Sequence, residues 1–294
     1  MEHLQSELRG CAPLLPAMGD SAVLFDLVNG EVIFEHHPLA VRQQPIMVGS
    51  VFKLLATYSL LVDDKTQFLS SKRPLQYTCN GTPVSKNGIE RPCWLHAGHG
   101  KMTLGTALLN SCNAFFYEAS STVTSTAYLE SLRLFGLSQK VLLRGGPCAD
   151  NILPASISET SFPDAFIGDH ASLRITPASL LDVVARISGY PIGGKGDVLD
   201  DDALYIIRNG MSRVSQVGTL ANTFGDPSIA AKTGTSRRAG RSGTRGVVAG
   251  FLPLESPRFA FVVVKDEGRG AKDAGPVAKV ISNAVQNELR TRDL

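Results

Sequence analysis

The stretch that decides the fold is residues 228–267, "SIAAKTGTSRRAGRSGTRGVVAGFLPLESPRFAFVVVKDE". Three β-rich runs fill it, at 228–236, 245–253 and 258–267, and the joins between them are short. Short joins pair consecutive strands antiparallel, because a parallel pair needs a crossover of a dozen or more residues. The segment therefore predicts a three-stranded antiparallel sheet near the end of the sequence.

Two further strand-like runs stand near the beginning. "SAVLFDL" (21–27) and "EVIFEHH" (31–37) are separated by "VNG", and an Asn-Gly pair favours a tight hairpin. The simplest packing places this hairpin on the same sheet as the three later strands. A run of helical periodicity at 273–292 then predicts a closing helix.

A long helical block separates the two groups of strands. One helix begins at or beside Ser50, and further helices are predicted at 102–123, 124–137, 176–189 and 201–216. The first of these further helices is expected to break near Ser111, and Gly136 near the end of the next is a stop signal. Scattered Gly, Pro and Asn predict loops at 71–100 and 141–170.

These elements predict an α/β fold of the α+β kind. An antiparallel sheet flanked by helices is built from both chain ends, with a mostly helical inserted lobe. We assign residues 21–292 to this domain and take residues 1–20 as a separate, flexible N-terminal segment. The predicted sheet lobe comprises 21–49 and 217–292, and the helical lobe 50–216. A cleft between two lobes is a common place for a ligand site.

Composition narrows the class of protein. The chain has 294 residues, 43% of them hydrophobic and 19% charged, which is ordinary for a globular protein. A net charge of +2 gives no indication of nucleic acid or an anionic membrane surface as a partner. No apolar run approaches the roughly 20 residues that span a bilayer. The first 20 residues are too polar for a signal peptide, so we expect a cytoplasmic protein or an export segment outside this sequence.

The five cysteines offer a disulfide or, less favourably, a metal site. Cys79 and Cys93 flank a turn-rich stretch, "CNGTPVSKNGIERPC", which a disulfide could close in an oxidising compartment. His96 and His99 follow, but the C-x13-C-x2-H-x2-H spacing matches no common zinc finger. We therefore favour a disulfide or plain thiols and expect no metal and no cofactor. Cys112 is expected to serve packing.

The helix near residue 50 begins with an unusual pair. In "GSVFKLLA" (49–56), Ser50 and Lys53 are spaced i, i+3 and share a helix face, so hydroxyl and amine could touch. An alternative interpretation is a core helix that Ser50 caps, with Lys53 in solvent. Two further short patterns bear on the choice. "SCN" (Ser111, Asn113) lies at the predicted helix break, and "KTGT" (232–235) lies on the first of the three late strands.

Ser-x-x-Lys, Ser-x-Asn and Lys-Thr-Gly, in this order, resemble the motifs of penicillin-binding proteins and active-site-serine β-lactamases. The likeness spans about residues 20–290 and is closest to the transpeptidase domain of penicillin-binding proteins. It includes "GEVI", "GHGKMTLGTALLNSCNAFFYEAS", "RITPASLLDVVARI" and "GTL" (218–220) before the third motif. The resemblance implies a transpeptidase/β-lactamase-like fold.

The resemblance also implies roles for the first two motifs. Ser50 would be the nucleophile, and Lys53 would accept its proton, provided that burial and a second cation keep its amine neutral. Lys232 could supply that second charge. Ser111 would relay a proton to the leaving amine, and Asn113 would hold the substrate amide.

The third motif would bind and polarise the substrate. By the same resemblance, Lys232, Thr233 and Thr235 would bind the terminal carboxylate of the substrate. The backbone N–H groups of Ser50 and Thr235 would form the oxyanion hole. We expect Gly234, which has no side chain, to let substrate lie against the strand edge.

The implied activity is that of a D,D-transpeptidase or D,D-carboxypeptidase on peptidoglycan stem peptides, with β-lactams acylating Ser50. Location in the periplasm or another extracytoplasmic wall space follows from the resemblance. Two alternatives stay open: a serine β-lactamase, and a non-catalytic sensor module that binds peptidoglycan or β-lactam. One β-lactamase class requires a glutamate to activate water, and Glu118 and Glu130 are predicted to be helix surface.

One basic segment also has two interpretations. "SRRAGRSGTRG" (236–246) is either a solvated hairpin tip or electrostatic support for a carboxylate-bearing substrate or anionic wall polymer.

Overall fold

A computed structural model describes residues 2–63, 75–143, 146–192, 198–238 and 240–292. Positions 71–74 and 144–145 of the two predicted loops lie outside these ranges. The strands are β1 (Ser21–Asp26), β2 (Glu31–His36), β3 (Gln76–Cys79), β4 (Val84–Lys86), β5 (Ile89–Arg91), β6 (Gly100–Thr103), β7 (Leu142–Leu143), β8 (Gly146–Pro147), β9 (Ala230–Arg237), β10 (Thr244–Leu252) and β11 (Phe259–Lys265). The α-helices are α1 (Glu2–Leu8), α2 (Pro38–Gln43), α3 (Lys53–Val62), α4 (Leu104–Leu109), α5 (Asn113–Ala119), α6 (Ser125–Leu134), α7 (Phe162–Phe166), α8 (Pro177–Ser188), α9 (Asp201–Val217) and α10 (Gly275–Arg292).

The central sheet has the order β2-β1-β11-β10-β9, and every neighbouring pair is antiparallel. The predicted sheet from both chain ends is therefore confirmed. The N-terminal hairpin joins the three late strands through β1 and β11, where Val23 faces Val262. Strand β9, which carries Lys-Thr-Gly, lies at the edge of the sheet. An edge strand leaves a row of backbone groups open to a partner or ligand.

Both faces of the sheet are covered. Alternate residues of a strand point to opposite faces, and here they join two different buried clusters. Val23, Ala249 and Val262 belong to the larger cluster, which extends into the helical lobe. Leu24 and Val263 belong to the smaller cluster, in which residues of α10 cover the other face. The inner strands β1, β10 and β11 accordingly carry apolar residues on both faces.

The N-terminal segment is part of the domain, so its assignment to a separate segment at 1–20 is wrong. Residues of α1 and the following turn pack against α10, and Leu4, Leu8 and Cys11 are fully buried in the smaller cluster. Leu4 and Leu8 are spaced i, i+4 and thus share one helix face. The burial of this face explains why the segment folds onto the sheet lobe.

The long helices α8, α9 and α10 lie where the sequence predicted them. Thr176 caps α8 by accepting a hydrogen bond from the Ser179 N–H at 3.0 Å, and Pro177 occupies the first turn. Gly189 ends this helix with a φ of 97°. The predicted break near Ser111 is also present, because α4 ends at Leu109 and α5 begins at Asn113.

The predicted loop at 71–100 contains more structure than expected in its described part. Strand β3 pairs with β6, and β4 and β5 form a hairpin around Asn87 and Gly88, with φ of 52° and 76°. Asn-Gly is the signal that identified the first hairpin, but these strands are too short to show alternation. Residues 141–170 likewise contain β7, β8 and α7.

Among the residues that the structure describes, no helix is long and apolar enough to cross a membrane.

Candidate active site

The first motif lies against the third through two glycines. Ser50 is half-buried in a 3-10 turn, Gly49–Phe52, and Lys53 begins α3. Gly49 has a φ of 56°, and a Cβ on it would lie 2.4 Å from the Thr235 carbonyl oxygen. This close approach places the backbone of the serine turn beside Thr235.

Gly234 makes the second close approach, and packing gives it a reason that the sequence did not suggest. A Cβ added to Gly234 would lie 2.0 Å from the Val48 carbonyl oxygen and 3.0 Å from Val51 Cγ2. No side chain fits at this distance from backbone. Packing between β9 and the serine turn therefore requires a glycine at 234, and the expectation that substrate lies against this strand edge stays a prediction.

Lys53 is fully buried and directed at the second motif. Its Nζ donates to the Ser111 carbonyl oxygen at 2.7 Å and to Asn113 Oδ1 at 2.5 Å. A longer contact of 3.4 Å reaches Ser111 Oγ. Burial lowers the pKa of Lys53 to about 7, although Cys112 and Cys93 oppose this shift. Helical spacing allows the Lys53 amine to touch the Ser50 hydroxyl, but no hydrogen bond joins these two described residues.

Lys232 reaches the same serine from the opposite side. Its fully buried Nζ donates to Ser111 Oγ at 3.0 Å and to the Thr233 carbonyl oxygen at 3.1 Å. Burial, together with the charge of Lys53, lowers the pKa of Lys232 well below its ordinary value. The charge of Lys53 therefore disfavours the charged form of Lys232, whereas burial is what lowers the pKa of Lys53 itself. The sequence had suggested the converse influence, with Lys232 as the second charge beside Lys53.

Ser111 takes this central position because of the helix break. Its φ of 52° is in the left-handed region, which non-glycine residues seldom occupy. The Ser111 N–H donates to the Leu108 carbonyl at 3.2 Å, and the Cys112 N–H to the Ala107 carbonyl at 2.9 Å. These bonds end α4 tightly and direct Ser111 toward both lysines.

Two cavities open beside Ser50. The larger, of about 530 Å³, is lined by Ser50, Trp94, Ser111, Asn113, Thr219, Thr233, Thr235, Arg269, Ala271 and Lys272. The smaller, of about 160 Å³, is lined by Gly49, Ser50, Asn113, Tyr117, Ile167, Asp169, Thr235, Ser236, Arg237 and Thr244. The structure thus brings the predicted residues together: Ser50, Asn113 and Thr235 line both cavities, and Lys53 and Lys232 lie beneath Ser111.

Five residues of the larger cavity had no predicted role: Trp94, Thr219, Arg269, Ala271 and Lys272. Thr219 lies 3.0 Å from Thr233, hydroxyl to hydroxyl, and "GTL" was the available signal. Trp94 donates its indole N–H to the Ser111 carbonyl at 3.1 Å. Arg269 and Lys272 follow β11 and reach the cavity because the Gly270 N–H donates to Thr235 Oγ1 at 3.1 Å. No sequence spacing connects residue 270 with residue 235.

The basic hairpin is largely neutralised by acidic neighbours. Arg238 and Arg245 both donate to Asp266, at 2.8 and 2.5 Å. Arg237 lines the smaller cavity and pairs with Asp169 at 3.1 Å. These ion pairs favour the hairpin-tip interpretation for most of the segment.

The Cys79–Cys93 disulfide, one of the two states expected for these cysteines, is not formed in the structure. All five are free, and Cys79 and Cys93 each approach His99 Nδ1 to 3.5 Å. The two glutamates weighed for water activation lie elsewhere: Glu118 pairs with Lys86 and Glu130 with Arg133, each at 3.0 Å. Neither glutamate lines the two cavities described above.

The fold and the three assembled motifs define a class, that of transpeptidase domains. A family model described as penicillin binding protein transpeptidase domain matches residues 27–285, and the chain belongs to this family. The peptidoglycan D,D-transpeptidase FtsI of Escherichia coli (strain K12) is 24% identical over 336 residues, covering 100% of this chain and 55% of that protein. The chain thus spans about half the length of this curated relative.

Solved structures show the same fold. The transpeptidase domain of penicillin-binding protein 3 from Burkholderia pseudomallei superposes with a TM-score of 0.80 at 18% identity, covering 98% of this chain and 93% of that one. Pseudomonas aeruginosa PBP2, in complex with WCK 5153, superposes with a TM-score of 0.80 at 19% identity, covering 97% of this chain and 74% of that one.

Proposed function

We propose that this protein is a penicillin-binding serine acyltransferase that acts on the D-Ala-D-Ala end of peptidoglycan stem peptides. The observation that carries the proposal is the convergence of two buried lysine amines on Ser111 Oγ, beside a cavity that Ser50 lines. Membership of the transpeptidase family supports acyl transfer on peptidoglycan as the kind of reaction.

In the proposed acylation, Ser50 Oγ attacks the carbonyl of the penultimate D-alanine. Lys53 accepts the hydroxyl proton, because its lowered pKa leaves much of its amine neutral at pH 7. The backbone N–H groups of Ser50 and Thr235 hold the developing oxyanion, and Gly49 brings the two segments together. Such donors are typically worth roughly 3–4 kcal/mol of barrier height.

Departure of the terminal D-alanine needs a proton on its amine. Ser111 supplies it, since its hydroxyl contacts Lys232 at 3.0 Å and Lys53 at 3.4 Å and can be reprotonated from either amine. Asn113 holds the substrate amide, while Lys232, Thr233 and Thr235 bind the terminal carboxylate. The acyl group then passes from Ser50 to an acceptor amine in a transpeptidase, or to water in a carboxypeptidase.

A β-lactamase would need an additional group to activate water against the acyl-enzyme. The positions of Glu118 and Glu130, paired outside the two cavities, favour slow hydrolysis and a long-lived β-lactam adduct. This argues against the glutamate-dependent class of β-lactamase. A second class uses a carboxylated form of the first-motif lysine, here Lys53, and the turnover experiment below distinguishes it from the leading proposal.

The test is intact-mass spectrometry of the protein with benzylpenicillin over time, with the adduct mapped by digestion. A stable adduct on Ser50 is expected, together with release of D-alanine from a D-Ala-D-Ala peptide. Rapid turnover with accumulation of penicilloate would identify a β-lactamase instead. A stable adduct without peptide turnover would identify a sensor, and no adduct would contradict the proposal altogether.

A further inference from the structure

Four metal-ligating side chains meet beneath the second motif. Cys79 ends β3, Cys93 follows β5, His99 precedes β6, and Cys112 precedes α5. One ligand atom from each lies within 4.8 Å of the other three. The three cysteines are buried and His99 is half-buried. The proposed reaction uses none of these four side chains.

Their spacing fits the edges of one coordination tetrahedron. With Zn–S near 2.3 Å and Zn–N near 2.0–2.1 Å, tetrahedral angles require S···N of about 3.5 Å and S···S of about 3.8 Å. The sulfur atoms of Cys79 and Cys93 each lie 3.5 Å from His99 Nδ1, and those of Cys93 and Cys112 lie 3.9 Å apart. The other three pairs of ligand atoms lie within 4.8 Å of each other, so side-chain movements of at most about 1 Å would bring all four atoms onto one ion.

The polar contacts of His99 are otherwise weak. Its Nε2 is buried without a hydrogen-bond partner among the described residues, so Nδ1 provides the polar contacts of this ring. Those contacts are two sulfur atoms at 3.5 Å, and thiols are poor hydrogen-bonding groups. A metal–nitrogen bond would give the imidazole a strong partner at the atom that already faces the cluster.

We propose that Cys79, Cys93, His99 and Cys112 bind one Zn²⁺ as a closed, structural Cys3His site. Thiolate and imidazole ligands in a tetrahedral set suit Zn²⁺, and four protein ligands leave no position open for substrate. Binding converts three thiols to thiolates and releases three protons. The expectation of no metal came from linear spacing, which did not include Cys112 or predict that β3 and β6 would pair.

The ion would fix the short strands against the candidate active site. Cys112 stands between Ser111 and Asn113, the two residues that contact Lys53. Trp94 follows Cys93, donates to the Ser111 carbonyl, and packs its ring edge-to-face on His99 at 5.0 Å between centroids. Zinc would therefore fix the positions of Trp94 and Ser111 relative to Lys53 and Lys232. Zinc binding does not depend on the proposed function; only its effect on acylation does.

The test begins with the metal content of the whole chain, purified in reductant without added metal. We expect close to one zinc per chain by plasma mass spectrometry. Replacement by Co²⁺ should give a thiolate-to-cobalt charge-transfer band with tetrahedral d–d bands. Cys79→Ser and His99→Ala should each weaken zinc binding at least tenfold in competition with a chromogenic chelator. The matched control is Cys148→Ser, a buried free cysteine outside the cluster, which should retain full zinc.

If the ligand variants fold poorly, chelation of the wild-type protein provides the second measurement. A strong chelator should lower the melting temperature, and added Zn²⁺ should restore it. The proposal is overturned by reduced, folded protein that holds less than about a tenth of an equivalent and shows no cobalt band. A disulfide within the cluster would overturn it too, if it forms in protein purified without reductant. The same holds if Cys148→Ser loses as much zinc binding as the ligand variants. Zinc without acylation of Ser50 would contradict the proposed function alone.

Discussion

Lys53 and Lys232 direct their amines at the same oxygen, with Nζ of Lys53 at 3.4 Å and Nζ of Lys232 at 3.0 Å from Ser111 Oγ. Both side chains are fully buried. Two cations so close together in a poorly solvated site oppose each other's ionisation, which favours loss of a proton from at least one. This arrangement favours a neutral amine near pH 7 in a residue type whose ordinary pKa is about 10.4.

The rate of β-lactam acylation should follow the ionisation of Lys53. In the proposed mechanism the neutral amine is the base, and the pKa of Lys53 is about 7, so the rate should fall about tenfold per pH unit below 7 and level off above it. Stopped-flow measurement with a chromogenic β-lactam over roughly pH 5 to 9 tests this. A rate that is flat across this range would contradict the assignment.

Removing the amine of Lys53 should slow acylation and abolish its dependence on pH. Lys53→Met keeps the length of the buried side chain and should slow acylation by about 10²–10⁴-fold. Lys86→Ala is the matched control, because Lys86 pairs with Glu118 away from the two cavities. A near-normal rate in Lys53→Met would exclude Lys53 as the base.

Ser50→Ala should abolish covalent labelling by benzylpenicillin and leave the melting temperature within about a degree of wild type. The side chain is half-buried at a cavity wall and its loss creates little new void. Ser172→Ala changes a half-buried serine that lines neither cavity and should label normally. An adduct that persists in Ser50→Ala would assign the nucleophile to another residue.

Gly234→Ala should reduce both stability and acylation. The new Cβ would meet the Val48 carbonyl at 2.0 Å, so strand and serine turn must separate, at a cost of about 1–3 kcal/mol in the free energy of unfolding. Gly105→Ala is the control: nothing lies within 4 Å of its added Cβ, and alanine in α4 should be neutral or slightly stabilising. Urea unfolding of the two variants compares them directly. Equal stability would show that the two backbones adjust freely.

Trp94 should report on occupation of the larger cavity. It is the one tryptophan in the sequence, it is 53% exposed, and it lines the same cavity as Ser50. Acylation should therefore change the intrinsic fluorescence of the wild-type protein with the kinetics of adduct formation. Ser50→Ala should lack this slow phase. Fluorescence that stays constant while the adduct forms would place the acyl group away from Trp94.

The sequence by itself determined the architecture and the central residues of the site. Alternating and continuous apolar runs predicted the five strands of the sheet, since strand burial depends on local pattern and short joins restrict the pairing. Ser50, Lys53, Ser111, Asn113 and the Lys-Thr-Gly strand were identifiable because each pattern is contiguous and their order is specific. The buried face of the first helix was missed because a seven-residue helix shows little periodicity.

The tertiary structure decided everything that depends on contact between distant segments. It showed that Lys53 donates its hydrogen bonds to Ser111 and Asn113, and that the carbonyl of Val48 requires glycine at 234. It also brought Cys112 to Cys79, Cys93 and His99, which linear spacing had not grouped. The physical reason is the same in each case. A side chain's partners and desolvation are set by packing between elements far apart in the chain, and no local periodicity encodes those distances.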